Sequence, residues 1–359
     1  MSRNAYLILE NGTVFEGKAF GAEKETMGEL VFTTSMVGYL ETITDPSYFG
    51  QVVFQTFPLI GNYGVISADL EYDTPMLNAY IVREWCQVPS NFRSEGNLDT
   101  FLKEKGIPGI CGIDTRALTR IIRDNGVLNC KVAYSNEVTD ELLEEIKNYK
   151  ITGAVESTTI KEKEEIKADN AKYNVVLMDF GTRNGADKVL VSKGCNVTAV
   201  PAGTTAEEIL ALNPDGIMLS NGPADPAENT AIIEEIKKLC DSNKPMFAIG
   251  LGHQLLALAK GAKTEKLLYG HRGASQPVKY IGTDKVFITS QNQGYAVVTD
   301  SLPVNAQVSF RNSNDNVCEG INYTDTPAFS VQFNIETCGG PQDTSFLYDR
   351  FIEILNENK

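Results

Sequence analysis

The sequence predicts an α/β protein of two domains: a mixed β/α amino-terminal domain followed by a doubly wound, mostly parallel sheet. Three observations predict it. The 359 residues exceed one typical domain. Short apolar runs alternate with helical periodicities from Asn174 onward. Finally, Pro245-Met246-Phe247-Ala248-Ile249 runs through a glycine-rich turn, Gly250-Leu251-Gly252, into the helical pattern Gln254-Leu255-Leu256-Ala257-Leu258-Ala259. Strand, tight turn and helix in that order form the geometry that lifts a nucleophile above a parallel sheet.

The first domain is placed at residues 1–150. It mixes β-like runs (Ala5-Tyr6-Leu7-Ile8-Leu9 and Gln51-Val52-Val53-Phe54-Gln55) with turns rich in Gly, Asn and Asp. Asp114 is the expected N-cap of a helix through Ala117–Arg123 that stops at Asn125-Gly126. A second helix is expected over about Asp140–Tyr149. Residues 151–173 read as a solvated linker or edge hairpin, with Lys161-Glu162-Lys163-Glu164-Glu165 at the centre. The second domain spans 174–359. Val175-Val176-Leu177-Met178, Asn196-Val197-Thr198-Ala199-Val200 and Gly216-Ile217-Met218-Leu219-Ser220 are its first strands, with helices up to Gly194 and over Ala206–Leu212. Ligands of such sheets bind at the carboxyl ends of the strands, where Ser220-Asn221-Gly222-Pro223 and the Gly250 turn both fall.

Composition narrows the function classes. A formal charge of −15 disfavours nucleic acid and anionic membrane surfaces as partners. No apolar run reaches membrane-spanning length, and the first residues lack a signal-peptide pattern. The seven cysteines are scattered, odd in number and free of C-x-x-C pairs, so no metal site is expected and a reducing cytoplasm is the expected compartment. Only His253 and His271 could supply an imidazole base. The glycine-rich turns fit neither a phosphate loop with its lysine nor a dinucleotide fingerprint, and no cofactor is expected.

Along its length the chain resembles the small subunit of carbamoyl phosphate synthetase. The carboxyl-terminal half shows Leu219-Ser220-Asn221-Gly222-Pro223-Ala224-Asp225-Pro226, Gly252-His253-Gln254-Leu255-Leu256-Ala257, Gly270-His271-Arg272-Gly273-Ala274, Ser290-Gln291-Asn292 and Ser330-Val331-Gln332-Phe333 in the family's order. The amino-terminal half adds Phe32-Thr33-Thr34-Ser35-Met36-Val37-Gly38-Tyr39, Thr44-Asp45-Pro46-Ser47-Tyr48, Pro58-Leu59-Ile60-Gly61-Asn62-Tyr63-Gly64 and Ile113-Asp114-Thr115-Arg116. The resemblance implies a class I amidotransferase domain of flavodoxin-like fold. It also implies a large, ATP-using subunit as partner, receiving ammonia that the small subunit releases from glutamine.

That chemistry needs a cysteine thiolate, a histidine that shuttles its proton and a glutamate that orients the histidine. By motif match the cysteine position is Gly250. The family's Gln-x-His-Pro-Glu reads Gln332-Phe333-Asn334-Ile335-Glu336, so the histidine position is Asn334 and only Glu336 is retained. The family's Asn-His-Gly reads Asn292-Gln293-Gly294, and Ala224 replaces a glycine beside the oxyanion hole. Four departures around one pocket point to natural loss of glutaminase chemistry. Removing nucleophile and base lowers turnover by about 10⁶-fold. The family's glutamine contacts fall on Ser47, Gly222, Ala224, Leu251, Gln254, Asn292, Gly294 and Tyr295; most keep the family residue or a near equivalent, which leaves glutamine as a candidate ligand.

The expected role is a structural and allosteric partner of an ammonia-using large subunit. Two alternatives stay open: a repurposed glutamine sensor, and a glutaminase that uses another nucleophile such as Cys338. A thiol without a base stays mostly protonated, which argues against the latter. His253 and His271 read as structural, and Gly250 also has a structural account, since glycine adopts strained elbow dihedrals at little cost.

Overall fold

The computed structural model describes residues 3–181, 185–336 and 340–359. The chain divides into two compact units, Met1–Thr152 and Gly153–Lys359.

In the first unit, seven strands close into a barrel: β1 (Asn4–Leu9), β2 (Val14–Gly21), β3 (Thr26–Thr33), β4 (Gln51–Gln55), β6 (Ala79–Ile81), β8 (Pro108–Cys111) and β9 (Leu128–Ala133). Their order is β1-β2-β8-β6-β4-β3-β9, and pairing of β1 with β9 completes the circuit. A separate two-stranded ribbon joins β5 (Leu59–Ile60) to β7 (Glu84–Trp85). The continuous apolar run in β4 follows from its position. Val52 and Phe54 enter one core cluster and Val53 another, so both faces are buried and the alternation of a half-solvated strand is lost. Helices α1 (Tyr39–Thr44), α2 (Leu98–Glu104), α3 (Thr115–Asn125) and α4 (Asp140–Lys147) complete the unit. At α3, the Asp114 carboxylate accepts from the Ala117 N–H at 3.0 Å, Leu118 and Ile122 are buried one turn apart, and Gly126 ends the helix at φ 86°. The helix from Asp140 stops at Lys147, two residues before the expected Tyr149, with Asn148 as its C-cap.

The second unit begins earlier than the expected linker allows. Instead of a solvated connection, residues 153–173 carry α5 (Ala154–Thr158), whose Val155 is buried, and the short strand β10 (Glu164–Ile166), which pairs antiparallel at the sheet edge. The strand lies at the sheet edge but forms no hairpin, since its partner is β12 (Cys195–Pro201), with Glu164 opposite Ala199, and not the next strand in the chain; the exposed charges of β10 are what an outermost strand carries.

The sheet is ten-stranded. It contains β10, β11 (Tyr173–Asp179), β12 (Cys195–Pro201), β13 (Gly216–Leu219), β14 (Met246–Ile249), β15 (Thr264–Tyr280), β16 (Val286–Val297), β17 (Ala306–Asn312), β18 (Cys318–Tyr323) and β19 (Ala328–Val331). The order is β10-β12-β11-β13-β14-β19-β18-β16-β15-β17. Strands β12, β11, β13, β14 and β19 run parallel and form the doubly wound centre; β18, β16, β15 and β17 extend it antiparallel. Helices α7 (Ala206–Ala211), α8 (Thr230–Asp241) and α9 (Leu251–Ala259) pack on one face, and α6 (Ala186–Ser192) and α10 (Phe346–Glu357) on the other. In β14, Met246 and Ala248 feed the first layer and Phe247 the second, which explains its uninterrupted hydrophobicity. Phe247 stacks on Phe329 at 4.4 Å and meets the Tyr348 ring edge-on at 5.5 Å, fixing α10 against the central strands. Among the described residues, no helix is long and apolar enough to cross a membrane and no group of metal-binding side chains assembles.

Candidate functional site

Where β14 ends, Gly250 turns the chain into α9 with φ 57° and ψ −114°, a combination that residues with a Cβ rarely adopt. Its N–H donates to the Val331 carbonyl at 2.9 Å, tying the turn to the neighbouring strand. Helix α9 is buried through seven successive residues from Leu251 to Ala257, which favours apolar side chains all round. Gly252 is needed for this depth, because a Cβ there would lie 2.6 Å from the Leu219 carbonyl oxygen.

Of the two polar residues in that buried stretch, Gln254 is bonded through both amide hydrogens, whereas His253 is bonded at Nδ1 only and its buried Nε2 has no partner among the described residues. His253 is wholly buried, its Nδ1 lies 2.8 Å from the Ser330 hydroxyl, and burial lowers its pKa to about 3. It is a neutral core histidine. Gln254 donates both amide hydrogens to its own chain, to the Tyr295 carbonyl at 2.7 Å and to Gln332 Oε1 at 2.9 Å.

The space beside Gly250 is filled by Asn221. A Cβ built on Gly250 would lie 2.0 Å from Asn221 Oδ1 and 2.3 Å from its Cγ. That same oxygen accepts two backbone hydrogen bonds, from Gly222 N–H at 2.8 Å and Leu251 N–H at 2.9 Å. The amide nitrogen of Asn221 donates to Asn334 Oδ1 at 3.1 Å. Asn334 follows β19, is 5% exposed, and is held by its own N–H to the Ser290 carbonyl at 2.9 Å. Gly250, Asn221, Leu251 and Asn334, all buried, thus form one assembly with the half-buried Gly222.

Glu336 accepts a hydrogen bond from the Tyr348 hydroxyl, which the Phe247 contact aims at it, and one from the Ile335 N–H at 3.2 Å. Asn292 lies on β16 opposite Arg272, and a Cβ on Gly294 would come within 3.2 Å of an Arg272 guanidinium nitrogen. Ala224 sits at φ 73°, the left-handed region that disfavours a side chain by roughly 1–2 kcal/mol. It faces a cleft of about 450 Å³, also lined by Glu156, Thr159, Gly203 and Thr230, that neither Gly250 nor Asn334 lines. Ser47 belongs to the first unit, in a tight turn where its N–H donates to Asp45 Oδ1 at 2.8 Å. Cys338 lies outside the described residues. His271 is buried between two carboxylates, 2.7 Å from Asp315 and 3.3 Å from Glu319.

Asn221, Gln332 and Tyr348 carry no individual role in the motif pattern. A signal for Asn221 was present: a short amide next to Gly222 becomes significant once position 250 carries no side chain. Tyr348 left none, since its contact with Glu336 depends on how α10 docks.

The strand–elbow–helix on a doubly wound sheet defines the class, and residues 176–354 match the class I glutamine amidotransferase family model. Residues 7–132 match the carbamoyl-phosphate synthase small chain domain. The chain belongs to the carbamoyl-phosphate synthase small chain family. Among its relatives are the carbamoyl phosphate synthase small chains of Clostridium perfringens, 46% identical over 97% of this chain and 99% of that protein, and of Fusobacterium nucleatum, 49% identical over 99% of both. The pyrimidine-specific small chain of Bacillus subtilis is 46% identical over 97% of this chain and 95% of its own length.

Proposed function

We propose that this chain is a carbamoyl-phosphate synthase small subunit that does not hydrolyse glutamine and acts as a structural and allosteric partner of a large subunit supplied with free ammonia. Gly250 and Asn334 carry this reading. Amide hydrolysis by this fold needs a thiolate to attack the carboxamide carbon and an imidazole to protonate the departing ammonia. Gly250 has no side chain, and an asparagine amide neither takes up nor releases a proton near neutral pH. Neither histidine substitutes: His253 is sealed in the core against Ser330, and His271 is engaged by two carboxylates. The retained Glu336 has the Tyr348 hydroxyl as a partner in place of an imidazole.

The match of residues 7–132 to the small-chain domain supports a large-subunit partner, and the unpaired cysteines Cys86, Cys111, Cys130, Cys195, Cys240 and Cys318 support a cytoplasmic location. The purified complex of this chain with its large subunit is expected to make carbamoyl phosphate from bicarbonate, ATP and ammonium, and to make none above background when glutamine replaces ammonium. Glutamine-supported synthesis at a rate comparable with ammonium would refute the reading.

A further inference from the structure

We propose that the amidotransferase pocket retains a subsite for a primary carboxamide and that the chain fills this subsite itself, with the side chain of Asn221. The proposal rests on the non-hydrolysing reading above and deepens it by naming what occupies the pocket. Two backbone N–H groups from different elements, Gly222 after β13 and Leu251 at the start of α9, converge on one oxygen at 2.8 and 2.9 Å. Such a pair at a nucleophile elbow is the donor arrangement that holds a substrate carbonyl oxygen. Here the oxygen is Oδ1 of Asn221, and the rest of the amide is satisfied as a substrate amide would be, its nitrogen donating to Asn334 Oδ1 at 3.1 Å. Asparagine and glutamine end in the same carboxamide, so Asn221 presents the chemical group a glutamine would bring.

Of the two departures from the family motif, this seating requires the one at 250 and uses the one at 334. A side chain at 250 is sterically incompatible with it, because the Cβ would lie 2.0 Å from Asn221 Oδ1. A glycine there leaves the space open. At 334, an asparagine supplies a carbonyl oxygen as acceptor for the Asn221 amide. Asn221 is only 5% exposed and its amide is bonded at both ends, so a ligand entering must break three hydrogen bonds and remake them. Gln254 reinforces the closure, since both its amide hydrogens are already committed to Tyr295 and Gln332. Asn221 thereby becomes a specificity-determining residue that excludes glutamine, and Asn334 the residue that positions it.

The test is titration of L-glutamine into the full chain, wild type and Asn221→Ala, by calorimetry, with ammonia release followed on the same samples. The wild type is expected to give no binding heat at millimolar glutamine, and Asn221→Ala to bind at least about ten-fold more tightly. Neither sample is expected to release ammonia. Because Asn221→Ala loses three buried hydrogen bonds, the amide resonances of Gly222 and Leu251 in the wild type provide a second readout that needs no variant. They are expected to stay unshifted on adding glutamine. Wild-type binding that shifts these resonances without ammonia release would overturn the self-filled subsite and leave the non-hydrolysing reading standing. Ammonia release by the wild type would overturn both. A folded Asn221→Ala that binds no better than the wild type would also overturn the proposal.

Discussion

Gly250→Cys is expected to lose about 3–5 kcal/mol of stability and to gain no glutaminase activity. Two costs add. The dihedrals of φ 57° and ψ −114° strain any residue with a Cβ, by about 1–3 kcal/mol. The new Cβ also displaces Asn221 from its seat, 2.0 Å away, and the Gly222 and Leu251 N–H groups lose their acceptor at about 1 kcal/mol each. The two costs can be separated. In an Asn221→Ala background the collision is relieved and only the strain remains, so Gly250→Cys is expected to cost at least about 1 kcal/mol less there. Denaturant melts of the four proteins in this double-mutant cycle measure the difference. A cycle that closes with no coupling would show that Asn221 does not occupy the space where the family carries its thiol.

His271→Leu is expected to destabilise the second unit by about 3–5 kcal/mol, lowering its Tm by about 10 °C. The imidazole lies between Asp315 at 2.7 Å and Glu319 at 3.3 Å, and Glu319 is 0% exposed with Asn312 also donating to it at 3.2 Å. Burial alone lowers the His271 pKa, but the Glu319 and Asp315 carboxylates outweigh it and the net shift is upward. Burial raises Glu319. Removing the imidazole leaves Glu319 to be buried without its cation or to take up a proton, and either is costly. The sign of the pH dependence follows. A histidine raised above its unfolded value of about 6.5 stabilises fully below that pH and loses its contribution as pH climbs through the folded value. Wild type is therefore expected to lose this increment on the alkaline side, and His271→Leu to lack that loss. A destabilisation under about 1 kcal/mol would show that the cluster is inessential.

Some of this architecture is legible before folding, and the reasons differ by element. The parallel centre announces itself because strands buried on both faces, such as Met246–Ile249, must be apolar throughout. The helix from Thr115 shows both ends, through the Asp114 cap and Gly126. The closed barrel of the first unit is not legible. Its circuit is made by pairings such as β1 with β9 across more than a hundred residues, while its strands read singly as short runs between turns. The antiparallel extension is also hidden, since β15 and β16 carry polar residues without clean alternation and two register shifts. At the proposed site, motif positions point to Gly250, Asn334 and Glu336. They cannot show that Asn221, 113 residues from Asn334, joins them, or that Tyr348 bonds to Glu336.

The central claim, that this pocket no longer hydrolyses glutamine, is tested most directly by glutamate formation from L-glutamine over hours by the purified complex with its large subunit. On the proposed assignment of the thiol and imidazole positions to Gly250 and Asn334, turnover is expected at or below about 10⁻⁵ s⁻¹, indistinguishable from the same assay without protein. A turnover on the order of 10 s⁻¹, abolished by a thiol-alkylating reagent, would contradict it and point to a cysteine other than one at position 250.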